Sequence, residues 1–483
     1  MIVIQLVWFF CDISKAFDRV WHKGLLFKLR QNGVTDRLHD WLTDYLSQRT
    51  QRVFIGSSFS NSSVVNAGVP QGSVLGPLLF LVYVNDIAES LISTTRLFAD
   101  DSSLAVSSPS DREIENILNH DLEMISRWAK QWLVTFNPNK TEVIYFSLNK
   151  SDNNPQLMFN NTQLTYVENH KHLGITLSQN GTWHNHISNI TLSASKILGS
   201  MRLLKYKLKR DTLSQIYISY LRPLLEYASI VWDNCTIYEK ESLEKIQYEA
   251  ARIVTGLTRS VSINNLLQEI GWVSLSDRRK VQKYTLMYKN SKGLLPNYIM
   301  ELFPTTVERS TQYNLRNRED YVVPPRRTEI YSRSVIPSCI NLWNGLDVSI
   351  RESISLKTFK SNISDLFTPP HVPKYYLSGN RTQSVHHARL RNNCSSLNSD
   401  LFHNHLRDSE ECICDDGPEN SEHFFFKCRL FNQQRLELFR NTRTFHPLST
   451  QKLLFGISNI TNEENEALFL QVHKYIKNTK RFN

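Results

Sequence analysis

The chain has 483 residues, enough by length for about three domains. Its 41% hydrophobic and 21% charged content belongs to a folded globular protein and excludes a disordered or membrane-dominated one. A formal charge of +10 favours a polyanionic partner, nucleic acid first, although a merely basic globular protein carries the same charge.

The apolar start, Ile2 to Phe10, is too short to span a membrane and lacks a basic leader region and cleavage site. Val3 to Cys11 instead has the β-rich, nearly unbroken apolar pattern of a strand covered on both faces, and it stops at Asp12. A helix is predicted next, with Asp18 as its N-cap, Gly33 just past its end, and Val20, Leu25, Leu26 and Leu29 on one face. After a Ser- and Asn-rich loop a second helix opens near Gly76-Pro77, with Leu78, Leu79, Val82, Tyr83 and Leu91 as its apolar set. Leu97 to Ala99 and Leu104 to Val106 flank Asp100-Asp101 as two short strands. A helix from about Asp111 to Gln131, a strand Val143 to Phe146 and a further strand at Lys171 to Ile175 complete an α+β pattern with a mainly antiparallel sheet.

From about 185 to 300 the pattern is helical. One stripe is Leu213, Ile216, Tyr217, Tyr220, Leu221, Leu224 and Leu225; another is Leu243, Ile246, Ala250, Ile253 and Val254. Met201 to Arg210 holds five basic residues and no acid, readable as a solvated helix face or as a phosphate contact. Residues 304 to 334 carry Arg309, Arg316, Arg318, Arg326, Arg327 and Arg333, nearly balanced by acids. Pro369-Pro370 and Pro373 mark a linker to a small C-terminal unit. There His386, His387, Arg389 and Arg391 read as a solvated loop, with nucleic-acid contact as the alternative.

Seven cysteines in so long a chain are no disulfide framework. Cys11, Cys235, Cys339 and Cys394 stand alone, while Cys412, Cys414 and Cys428 cluster around His423, as suits a reducing, intracellular compartment. Three thiolates and one imidazole suit a tetrahedral structural Zn²⁺, with Asp415, Asp416 and Gly417 making the intervening turn. Four protein ligands leave no open position for catalysis.

Asp12 at a strand end and Asp100 at a hairpin tip, supported by Asp101, are hard oxygen ligands of the kind Mg²⁺ takes. Two Mg²⁺ ions about 3.5–4 Å apart clamp the attacking and leaving oxygens of a nucleotidyl transfer. An acidic pair in a tight turn is also a common solvated hairpin. It is the order Cys11-Asp12-Ile13-Ser14-Lys15-Ala16-Phe17-Asp18, Gly68-Val69-Pro70-Gln71-Gly72-Ser73, Phe98-Ala99-Asp100-Asp101 that gives the pair weight.

These three stretches resemble the palm of reverse transcriptases, in particular those of jockey-like or LINE-like non-LTR retrotransposons. Asp12 falls on the metal-binding Asp of motif A, Gly68 to Pro77 on motif B, and Phe98 to Asp101 on motif C. The resemblance implies RNA-directed DNA polymerase activity, a nucleotidyl transfer, with Mg²⁺ and dNTPs. An RNA template and a DNA primer or target DNA would be the partners, and action at chromosomal DNA implies the nucleus. Carried over by position, Phe17 would exclude a 2′-hydroxyl, Gln71 would contact the incoming nucleotide, and Gly72 would let the backbone approach it. Lys140 resembles the motif D lysine that protonates the leaving pyrophosphate; on its own it reads as a surface lysine. His172-Leu173-Gly174 resembles the strand that grips the primer, and Cys412, Cys414, His423 and Cys428 resemble the cluster behind jockey-like polymerases.

The expected layout is a palm over residues 1–180, a helical thumb over 181–303, an Arg-containing irregular region and linker over 304–373 and a zinc-binding unit over 374–483. In the family a fingers region with basic residues precedes motif A, which begins here within a dozen residues of Met1. Without that grip on the triphosphate, little polymerisation is expected. The alternative is a catalytically inactive nucleic-acid-binding remnant.

Overall fold

The computed structural model describes residues 5–137, 140–146, 154–307, 319–325, 328–368 and 371–482. The apolar residues before Gln5, the prolines 369 and 370, and Arg309, Arg316, Arg318, Arg326 and Arg327 lie outside the described residues. The chain forms two compact units, Met1–Asn185 and His186–Asn483.

The first unit is mixed α/β, around a four-stranded antiparallel sheet. Its strands are β1 (Gln5–Asp12), β2 (Thr94–Phe98), β3 (Asp101–Ser108) and β4 (Glu142–Phe146), in the order β2-β3-β1-β4. Central β1 turns Val7, Phe9 and Cys11 into the core. Its other face is also covered, but by imidazoles: Phe10 stacks on His170 at 3.9 Å and lies 4.9 Å from His172. Both histidines sit on a hairpin, Asn169–His172 paired with Ile175–Ser178. The single strand predicted at 171–175 is therefore the end of one strand and the start of the next, with a two-residue turn between them. Leu173 and Gly174 both have positive φ, 46° and 82°, the conformation of a two-residue type I′ hairpin loop.

The core face of the sheet carries helices α1 (His22–Gln31), α2 (Asp36–Leu46), α3 (Leu75–Val84) and α4 (Asp111–Gln131). The Ser110 hydroxyl caps α4 by accepting from the Glu113 amide, and Ile114, Leu118, Leu122 and Ile125 then fall on one buried face. The predicted limits of α4 agree with the structure. The first helix does not begin at Asp18: Ala16–Arg19 is a 3₁₀ turn, α1 starts at His22, and the Asp18 carboxylate accepts from Gln71 instead of capping. Gly33, at φ 85°, does follow its end. In α3, Leu79, Phe80, Tyr83 and Val84 are buried, Leu78 is exposed, and Leu91 lies beyond the helix. Buried Lys28 ties α1 to α3, donating to the Tyr83 carbonyl and the Asp86 carboxylate, with its ammonium 3.8 Å from the Trp132 ring centre.

The second unit is helical. Leu213, Tyr217, Leu221 and Leu225 are almost fully buried, whereas Tyr220 and Leu224 of the predicted stripe face solvent. A π-turn at Tyr217–Leu221 widens the helix locally, so every fourth residue stays on one face. The second predicted stripe, Leu243 to Val254, is buried throughout along the helix Ile237–Thr255. Its Thr236/Glu239 capping box and Gly256 at φ 77° are ordinary helix punctuation. The segment with His386 to Arg391 is no solvated loop but the helix Arg381–Arg391, with His387 and Arg391 buried. No helix among the described residues is long and apolar enough to cross a membrane.

Candidate functional site

The antiparallel register of β1 and β3 places Asp12 directly opposite Asp101. Asp100 is in the two-residue turn joining β2 to β3, where Ala99 adopts φ 53° and Phe98 pairs with Asp101. Three carboxylates thus gather at one end of the two central strands. Burial, then the charges of Asp100 and Asp12, push the Asp101 carboxyl up, while His172 and His170 pull it down. The neighbouring Cys11 thiol is pushed above its ordinary value by burial first and then by Asp12 and Asp101. Such an excess of negative charge, built from hard oxygen donors, fits a divalent cation.

Lys140 reaches the same point from the far side of the sequence. Backbone bonds from Ser14 to the Thr135 carbonyl (2.8 Å) and from Asn137 to the Asp12 carbonyl (2.9 Å) fasten the segment after α4 to the end of β1. The Lys140 ammonium then donates to Asp12 Oδ2 at 2.9 Å, although the side chain is 64% exposed. That hydrogen bond and the Asp12 charge raise its pKa and keep it protonated. Asp12, Asp101 and Lys140 line a cavity of about 440 Å³ with Glu142, His170 and His172. Glu142 accepts from His170 Nδ1 at 2.6 Å.

Phe17, Gln71 and Gly72 do not line that cavity and form a neighbouring cluster. Phe17 lies parallel to Phe80 at 4.8 Å, and its carbonyl accepts from the Val69 amide. Gln71 Nε2 donates to Asp18 Oδ1 at 2.9 Å, joining the two glycine- and acid-bearing turns. Gly72 has φ 83° and nothing within 4 Å of where a Cβ would stand. Gly68 is the tight crossing: at φ 94°, a Cβ there would meet the Asp18 backbone at 2.8–2.9 Å. Gly68→Ala is therefore expected to cost about 1–3 kcal/mol and to loosen the Gln71–Asp18 bond. Urea unfolding reads the first effect, and an unchanged midpoint would contradict it.

Residues 5–177 match the family model described as reverse transcriptase (RNA-dependent DNA polymerase). This segment is a reverse transcriptase domain. The RNA-directed DNA polymerase from mobile element jockey of Drosophila melanogaster is 29% identical over 302 residues, 60% of this chain and 32% of that protein. The probable RNA-directed DNA polymerase from transposon X-element of the same fly is 30% identical over 287 residues, 58% of this chain and 31% of the relative. A retrovirus-related Pol polyprotein from type-1 retrotransposable element R1 2 of Nasonia vitripennis is 23% identical over 395 residues, 77% of this chain and 87% of its own length. These relatives of the reverse transcriptase domain are RNA-directed DNA polymerases of non-LTR retrotransposons. The aligned part of the chain spans about a third of the two fly proteins.

Sequence reading of the reverse transcriptase domain missed His22, His170 and Glu142. His22 Nε2 donates to the Gly68 carbonyl at 2.7 Å and holds the crossing in place. No local spacing marks any of the three, since their partners lie 46 and 28 residues away.

In the second unit the four predicted ligands do converge. Cys412 and Cys414 precede a turn with Asp415 at φ 57° and Gly417 at φ 94°, while His423 opens and Cys428 follows a π-turn, His423–Lys427. All four are buried and their ligand atoms lie within 4.8 Å of one another, the one such Cys/His group among the described residues. The Cys412–Cys428 sulfur separation is 3.8 Å. A tetrahedron with Zn–S bonds of about 2.3 Å has an edge of about 3.8 Å. The Cys414 Sγ to His423 Nε2 edge, 3.2 Å, is the shorter one. The cluster can hold Zn²⁺. Purified chain is expected to carry one zinc, lost with Cys428→Ser, by elemental analysis; unchanged zinc content in that variant would rule the site out.

Proposed function

We propose that this chain is an RNA-directed DNA polymerase, with residues 1–180 as the palm and 181–303 as the helical thumb. Residues 304–373 would be a connecting region and 374–483 a zinc-bearing unit. Asp12, Asp100 and Asp101 would hold two Mg²⁺ ions. These, when bound, supply charge neutralisation at the attacking and leaving oxygens. Lys140, kept protonated beside Asp12, carries a proton on Nζ for the departing pyrophosphate. Phe17, braced by Phe80, presents an aromatic face against the sugar and leaves no room for a 2′-hydroxyl. Gln71, oriented by Asp18, contacts the incoming nucleotide, and the open space over Gly72 admits it. RNA template, DNA primer or target DNA and dNTPs are the corresponding partners, with action at chromosomal DNA in the nucleus.

The observation that carries this reading is the register of Asp12 against Asp101, with Asp100 in the adjoining turn and Lys140 2.9 Å from Asp12. Primer extension on poly(rA)/oligo(dT) with Mg²⁺ tests it. Product in low yield, lost in Asp100→Asn, is expected. Absence of product from a folded chain that still binds RNA would replace this reading with that of an inactive nucleic-acid-binding remnant.

A further inference from the structure

Two basic stretches nearly two hundred residues apart meet in the second unit. Arg202 and Lys205 come from the helix His184–Leu204 and the turn after it; Arg381 and Arg389 come from the helix Arg381–Arg391. Between them the helix Ile237–Thr255 ends. Arg381 donates to the Lys205, Ile253 and Val254 carbonyls, and Arg389 donates to the Gly256 carbonyl at 2.8 Å. Val385 packs against Gly256 closely enough that a Cβ there would strike it. The result is an open groove of about 460 Å³, within the size range of ligand clefts.

Its charge is one-sided. Five cationic side chains line it against one carboxylate, Glu249, which Arg202 and Arg252 approach at 3.5 and 3.3 Å and which Arg259 approaches from outside, also at 3.3 Å. One carboxylate shared by three guanidiniums leaves the groove strongly positive. Burial first, and then the charges of Arg210 and Arg389, pull Arg381 down to about 10. At the rim Tyr206 is 81% exposed, with the Lys205 ammonium 4.8 Å from its ring centre. A cationic track beside an exposed aromatic plane is how single strands are held without sequence preference.

We propose that this groove binds the phosphodiester backbone of a single-stranded nucleic acid, with a base stacked on Tyr206. None of the residues lining the groove lines the carboxylate cavity. The proposal rests on the nucleic-acid reading of the chain but needs no catalysis, so an inert chain can satisfy it and an active chain can fail it.

The test is fluorescence anisotropy of the full chain with a short labelled single-stranded RNA, and with DNA of the same sequence, across a salt series without metal or dNTPs. Arg381 and Arg389 hold the helix end, so the informative variant is Arg202→Gln/Lys205→Gln. Affinity is expected to fall about tenfold, and the slope of log K against log salt to shrink by about 1.4, two contacts at about 0.7 each. Tyr206→Ala should weaken binding without changing the slope. Equal losses on both strands would assign the site to the shared backbone, and a loss on one would assign it to that strand. A double variant within twofold of the parent at unchanged slope overturns the proposal. So does an equal loss in Lys427→Gln/Lys474→Gln, which removes the same charge outside the groove.

Discussion

Asp100→Asn should lower primer extension by about 10³-fold, on the order of 4 kcal/mol of transition-state stabilisation, while leaving the fold intact. Asp12→Asn should do the same. The reason lies in the register: Asp12 and Asp101 face each other across β1 and β3, Asp100 sits one residue away in the turn, and all three are partly exposed. None of them holds up the core. Asp101 is instead under electrostatic load, since burial and the two neighbouring carboxylates raise its pKa. Neutralising Asp100 relieves that load, so melting temperature should stay level or rise as activity disappears. Loss of activity together with a lower melting temperature would mean that the variant had merely unfolded. Retained activity would remove Asp100 from the metal site.

Glu269→Gln should destabilise the second unit by about 3–5 kcal/mol, because it strands two buried guanidiniums. Glu269 accepts from Arg210 Nη1 at 2.8 Å and from Arg391 Nη2 at 2.7 Å, and all three side chains are at most 5% exposed. Burial opposes the charge on Glu269, but Arg391 and Arg210 outweigh it and take the carboxyl down to about 2 from an ordinary 4.5. A depressed folded-state pKa contributes stability that is complete above about pH 4.5 and is lost as pH falls towards 2. Urea midpoints measured between these values should therefore decline in the parent chain. The Gln variant should start lower and decline less. Identical pH profiles for the two proteins would exclude Glu269 as the source.

This triad also explains two misreadings. Arg210 belongs by sequence to a basic stretch, and Arg391 to an apparent solvated loop, yet both are interior residues pointing at one carboxylate. Local composition records charge and says nothing of partners 59 and 122 residues distant. The misplaced cap at Asp18 has the same origin. An Asp before an apolar-periodic run favours a cap, but Gln71, from a loop 53 residues on, offers Asp18 a donor where the chain turns as 3₁₀.

What the sequence determined by itself is whatever depends on residue type at short spacing. The α+β character of the first unit, the limits of α4, the Asp100-Asp101 hairpin and the Cys412, Cys414, His423, Cys428 set within 17 residues all follow from periodicity, turn chemistry and ligand count. The reverse transcriptase domain was legible for that reason. What the tertiary structure alone decided is which distant groups share a low-dielectric space. Lys140 meets Asp12 across 128 residues, the 170–172 imidazoles cover the outer face of β1, and Arg202 and Arg389 converge on one groove. Such pairings are selected by the cost of burying a charge or an apolar face without a partner, and that cost exists only once the chain has closed on itself.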